Sequence, residues 1–124
     1  MRRLRSGVLV IGFLAAMCWP AVGVRAEEKV DQFTIVNVEY EGTKIWLPST
    51  LVVHKGDKVK IKLINNVKAD PNQHGFTIPA FNVAAVVTRG EPKEIEFTAD
   101  KAGVFPFSCQ LHPAHIGGQL IVQE

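Results

Sequence analysis

Beyond residue 26 the chain has no methionine and only one cysteine, Cys109; Met1, Met17 and Cys18 all come earlier. A lone cysteine closes no internal disulfide, the usual use of cysteine in a small exported domain. Nor does it supply the paired cysteines of a structural zinc knuckle. The missing methionines remove the thioether as a soft metal donor. The sequence has no Gly-x-Ser-x-Gly elbow and no phosphate-binding glycine loop, which argues against serine hydrolases and nucleotide enzymes. It also lacks a basic stripe with interleaved aromatics, so nothing indicates a nucleic-acid partner. No stretch beyond residue 26 keeps a 3.6-residue apolar period over ten residues, and there is no repeat, low-complexity segment or linker.

The first 26 residues read as an export signal. "MRRLRS" is a basic lead, Gly7–Val24 carries no charge, and "VRA" ends at Ala26 before "EEK". That is the three-part secretory pattern. The uncharged run is barely long enough to span a bilayer, and Pro20, Gly7, Gly12 and Gly23 weaken it as a permanent helix. Cys18 follows Met17, a poor residue before a lipidated cysteine. The expectation is therefore cleavage after Ala26, no stable membrane insertion, and a periplasmic domain over residues 27–124. Four arginines (Arg2, Arg3, Arg5, Arg25) leave with the signal, so Lys+Arg falls from 14 to 10 against an unchanged 12 acidic residues. The remainder is near −2, and the basic character belongs to the signal.

The rest of the chain reads as strands and turns. "QFTIVNVEY" is rich in β-branched and aromatic residues. After a turn at Lys55-Gly56-Asp57, Val59, Ile61 and Leu63 alternate with Lys58, Lys60 and Lys62, a half-buried strand with a lysine-coated outer face. "GFTIP", "VFPFSC" and "GQLIVQE" are further strands. Between them "VAAVVTRGEPKEIEFTA" turns at Gly90, with one short helical turn expected near Asn82–Val86. Seven to eight short strands indicate an all-β sandwich or barrel.

The chemistry concentrates in "CQLHPAHIGG", Cys109–Gly118. Phe105, Phe107 and Cys109 are two residues apart and share one strand face, so the thiol points inward at the strand's end. Pro113 stiffens the loop that carries His112 and His115, and Gly117 and Gly118 permit its tight return. His74, in the polar stretch "KADPNQHGFTIP", can lie at the same end. One sulfur and up to three imidazoles suit copper or zinc, and a set with one cysteine and weakly paired spacing favours copper. His54, beside the turn, reads as an ordinary surface residue. A Cys109–His112 nucleophile–base pair is the alternative, but a thiol between inward phenylalanines is poorly placed for substrate entry.

On His74, "KAGVFPFSC" and "CQLHPAH", the chain resembles the cupredoxin family, over most of residues 33–124. "TLVVHKGDKVKI", "GFTIPAF", "FTADKAGVF" and "CQLHP" are most similar to its nitrosocyanin-like red copper branch. The resemblance implies a Greek-key β-sandwich of seven to eight strands. It also implies one copper ion, cycling between Cu(II) and Cu(I), held by His74, Cys109, His112 and His115. It departs from that branch in having a histidine at 74 where a glutamate is usual, and a shorter, amicyanin-length Cys-x-x-His-x-x-His loop. His115 then stands where the family usually has methionine. Gly75 is a further departure, since many cupredoxins brace the two ligand segments with an asparagine there.

The function so implied is one-electron transport with a redox protein partner. His112 would be the electron gate, and Leu111, Pro113, Ala114 and Ile116 an apolar docking rim. A copper-holding or copper-tolerance protein and a small-molecule copper catalyst are the rival readings. The oligomeric state is left open.

Overall fold

The computed structural model describes residues 28–124 together with Ala21 and Gly23. The expected signal, 1–26, otherwise lies outside the described residues. Nine strands follow in order: β1 (Val30–Tyr40), β2 (Thr43–Leu47), β3 (Thr50–His54), β4 (Lys58–Asn65), β5 (Gln73–Ile78), β6 (Val83–Thr88), β7 (Lys93–Thr98), β8 (Gly103–Phe107) and β9 (Gly118–Gln123). One sheet runs β2-β1-β4-β7 and a second runs β3-β9-β8, with β5 and β6 forming a hairpin. The β1–β4 and β3–β9 pairs are parallel and the other pairs antiparallel. The hairpin joins the second sheet at one point, a bridge between Thr77 and Ser108. The architecture is the expected all-β sandwich.

Alternation builds the core. Val59, Ile61 and Leu63 on β4 are fully buried, as expected from their period of two, while the lysines between them face out. Across the ladder, Lys58 and Lys60 meet Glu96 and Glu94 of β7 at 3.5 and 3.2 Å. Such exposed pairs add little stability but match the outer faces of neighbouring strands. Ile35, Leu51, Val53, Phe76, Ile78, Phe107, Leu120 and Val122 pack with them in the interior.

Trp46 is wholly buried, packs edge-on to Phe76 at 5.5 Å, and donates its indole N–H to the Gly75 carbonyl at 3.0 Å. Phe76 in turn lies 5.1 Å from Phe107. The resulting aromatic column, Trp46–Phe76–Phe107, ties β2, β5 and β8 together at one end of the sandwich.

One expectation is corrected and one strand is added. The helical turn lies at Pro79–Phe81, not at Asn82–Val86. Pro79 presets the first helical φ, Asn82 ends the turn in the left-handed region at φ 54°, and β-branched Val83, Val86 and Val87 pair with β5 instead. The strand unforeseen in the sequence is β2. Trp46 is its single buried residue, so its segment carries no alternation to read.

The turn at 55–57 is held by Asp57, whose carboxylate accepts the His54 backbone N–H at 2.9 Å and faces Lys29 at 3.5 Å. These partners, the backbone hydrogen bond first, hold its pKa below the ordinary 3.8. A folded-state pKa below the unfolded one gives stability that is present above the unfolded value and lost as pH falls through the folded value. Urea midpoints should therefore decline as pH drops below about 3.8, and Asp57→Asn should flatten that decline. Phe76→Ala, which empties the middle of the aromatic column, should cost about 3–5 kcal/mol in the same assay at neutral pH.

Candidate metal centre

The alternation that builds the aromatic column also builds the site. His74 precedes Phe76 by two residues on β5, and Cys109 follows Phe107 by two at the end of β8, so each shares its phenylalanine's inward face. Phe76 and Phe107 touch, and one step further along the same strands His74 and Cys109 meet. Backbone hydrogen bonds from Thr77 N–H to Ser108 O (2.9 Å) and from Ser108 N–H to Thr77 O (3.1 Å) fix the register. Gly75 N–H donates to Cys109 Sγ at 3.1 Å.

The loop after Cys109 is two successive turns, with His112 N–H to Cys109 O at 3.3 Å and His115 N–H to His112 O at 3.0 Å. These fold both imidazoles back over the sulfur. His112 Nδ1 lies 3.5 Å from Sγ. The His74 ring centroid is 5.2 Å from that of His112 and 5.0 Å from that of His115, and the last two are 4.6 Å apart. One donor atom from each of His74, Cys109, His112 and His115 can be chosen so that all four lie within 4.8 Å of one another. The structure thus brings together the four residues singled out in the sequence. It leaves His54 on the surface, its ring 3.8 Å from Asp57.

The loop's exit depends on close approach. Ile116 N–H donates to Lys44 O of β2 at 3.0 Å. A Cβ on Gly117 would lie 2.5 Å from Phe107 O, and one on Gly118 would lie 2.3 Å from both Ser49 O and the Phe107 ring. Either contact would force its neighbours to shift, so glycine is what lets the chain pass unstrained between Ser49 and Phe107.

The polar accounting favours an ion. His74 is fully buried and neither of its ring nitrogens has a hydrogen-bond partner; Nδ1 of His115 is also buried without one. A buried polar atom left alone costs about 1–3 kcal/mol, and bound metal removes that cost. Burial, reinforced by the neighbouring imidazoles of His115 and His112 and by Lys44, pushes the His74 pKa down to about 4. Burial also lowers that of His115. Both rings are neutral near pH 7, the form that binds metal. Cys109 is buried and free of any disulfide. One sulfur with clustered imidazoles fits copper by donor chemistry.

A family model described as a cupredoxin-like domain matches residues 7–122. The chain belongs to the cupredoxin-like domain family. Over 64 residues it is 41% identical to the nitrous-oxide reductase of Cupriavidus necator, a segment that is 50% of this chain and 10% of that enzyme. Among solved structures, a copper nitrite reductase from Nitrosomonas europaea superposes with a TM-score of 0.62 at 27% identity, over 77% of this cupredoxin-like chain and 42% of the reductase. The apo form of a copper binding protein, solved by NMR, superposes with a TM-score of 0.60 at 23% identity, over 80% of this chain and 93% of that one, and shares the fold.

Sequence reasoning did not find the groups that frame the cluster. The Gly75 N–H on the sulfur, the Trp46 indole beneath Gly75 and the Lys44 carbonyl on Ile116 are backbone or distant contributions. Trp46 lies 29 positions before Gly75 and no local motif links the two.

Gly118→Ala should test the close passage. Overpacking against Ser49 O and Phe107 predicts a loss of about 1–3 kcal/mol in urea unfolding, with the far-ultraviolet spectrum still that of a β-protein.

Proposed function

We propose that the protein is an exported, mononuclear copper protein that carries single electrons between redox partners. The observation that carries this reading is the convergence of Sγ and three imidazoles on one point, buried on the His74 and Cys109 side and half-buried on the loop side, with His74 otherwise unpartnered. His74, Cys109 and His112 are the principal ligands and His115 the fourth. Copper supplies a one-electron couple, Cu(II)/Cu(I). The chain's contribution is constancy of position. His74 sits on β5 and Cys109 directly follows Ser108, the two segments being locked by the Thr77–Ser108 bridge, and the two loop turns fix His112 and His115. Ligands held this way move little when the charge of the site changes, and fast electron transfer requires that.

Partner access supports the carrier reading over tight enclosure. Leu111 and Ile116, either side of the two loop histidines, are 44% and 50% exposed. With Pro113 and Ala114 they give an apolar rim where a redox protein can dock briefly. Export follows from residues 1–26, read as a cleaved signal to the periplasm.

The decisive measurement is the optical and electron-spin spectrum of the copper-loaded protein, with voltammetry. A visible sulfur-to-copper absorption that disappears in Cys109→Ser, together with a reversible one-electron wave, is the expected result. A copper protein with sluggish redox would instead point to metal holding. A spectrum altered by added azide would point to catalysis, and no sulfur-to-copper absorption would overturn the reading altogether. An imidazole donates more strongly to Cu(II) than a thioether does. His115→Met should therefore raise the reduction potential and move the colour from green or red toward blue, and an unchanged spectrum and potential would remove His115 from the ligand set.

A further inference from the structure

Gly75 has no side chain, yet it is buried. What covers it is Gln110, the residue immediately after Cys109. A Cβ built on Gly75 would fall 2.2 Å from Gln110 Oε1 and 2.6 Å from its Cδ, so the carboxamide occupies the space that a side chain at 75 would fill. From there Gln110 Nε2 donates to Ala85 O of β6 at 3.1 Å. Ala85 is the ladder partner of Phe76, next to Gly75. The Gln110 side chain therefore starts on the Cys109 loop, crosses over β5 and fastens to the far strand of the hairpin that carries His74.

We propose that Gln110 is a positioning residue for the site. It closes over Gly75, keeps water from the Gly75 N–H···Sγ hydrogen bond, and locks the cysteine segment to the histidine hairpin. The backbone alone does this less well. Between the hairpin and β8, the Thr77–Ser108 bridge is the single pairing, and it sits below the site. Gln110 adds a second tie above it, so Cys109 is held from both sides. The Sγ hydrogen bond is the group most affected, because a donor shared with water holds sulfur less firmly than one shielded from it. For the metal, this inference rests on the copper reading; for the apo-protein it does not.

The test is a cycle of Gln110→Ala, Gly75→Ala and the double variant. Gln110 is exposed on its outer side, so its truncation should leave the fold intact, with the Val59 and Ile61 amides as internal controls. In the apo-protein, Gln110→Ala should speed hydrogen exchange at the Gly75 amide and leave those two controls unchanged. Gly75→Ala should evict the carboxamide from its seat and loosen the tie to Ala85. Because both variants break the same contact, the second substitution should add little to the first. In the copper-loaded protein, Gln110→Ala should lower copper affinity about tenfold, as loss of a supporting contact behind a metal ligand commonly does, and shift the sulfur-to-copper absorption. Wild-type exchange at Gly75 in Gln110→Ala, or additive effects in the double variant, would overturn the proposal. If the wild-type protein binds no copper while Gln110→Ala still speeds exchange at Gly75, the copper reading is overturned and the role of Gln110 in tying the two segments together stands.

Discussion

The site depends on one pairing: the reciprocal backbone hydrogen bonds between Thr77 and Ser108. Through them a two-stranded hairpin becomes an extension of the three-stranded sheet. His74 lies three residues before Thr77, and Cys109 directly follows Ser108. A slip of one residue in that register would turn every side chain of one strand to its other face. His74 would leave the core, and the sulfur would lose its partner on β5 and keep only the imidazoles of its own loop, His112 and His115. The aromatic column opposes such a slip, because it would turn Phe76 out of its packing against Phe107 and Trp46.

The unpartnered nitrogens of His74 are the counterweight. A fully buried imidazole with no hydrogen bond is a local defect, and a sandwich of this size has little stability to spare. The core below compensates, with Trp46, Phe76 and Phe107 among its largest buried side chains. Buried, unpaired polar groups of this kind are rare in native interiors. Asn37 on β1 is also fully buried with both side-chain polar atoms unpartnered and lies outside the cluster, so it is the meeting of the unpartnered His74 and His115 nitrogens with a free thiol that marks the metal centre.

Much of this was readable in the linear chain, for a definite reason. The Phe105-Phe107-Cys109 alternation predicts an inward thiol because strand side chains repeat every two residues. Likewise Val59, Ile61 and Leu63 announce a core strand against their lysines. Where burial does not alternate, the signal fails. β2 buries Trp46 alone and went unforeseen, and the helical turn was displaced because Pro79 governs it rather than the residues after it. Gly117 and Gly118 were legible as a tight return, but the reason is contact with Phe107 and Ser49 and not a left-handed backbone.

By itself the sequence determined the donor set. Beyond residue 26, one thiol, three nearby or reachable imidazoles and no thioether follow from residue identity alone, because donor chemistry belongs to the side chain and not to its surroundings. Convergence was decided only by the tertiary structure. His74 and Cys109 are 35 positions apart, and their separation in space is set by cross-sheet pairing, which local pattern does not encode. The same holds for the Gly75 amide on the sulfur, the indole under Gly75 and the carboxamide over it. Each arises where strands distant in sequence pack together, and only the folded chain puts them there.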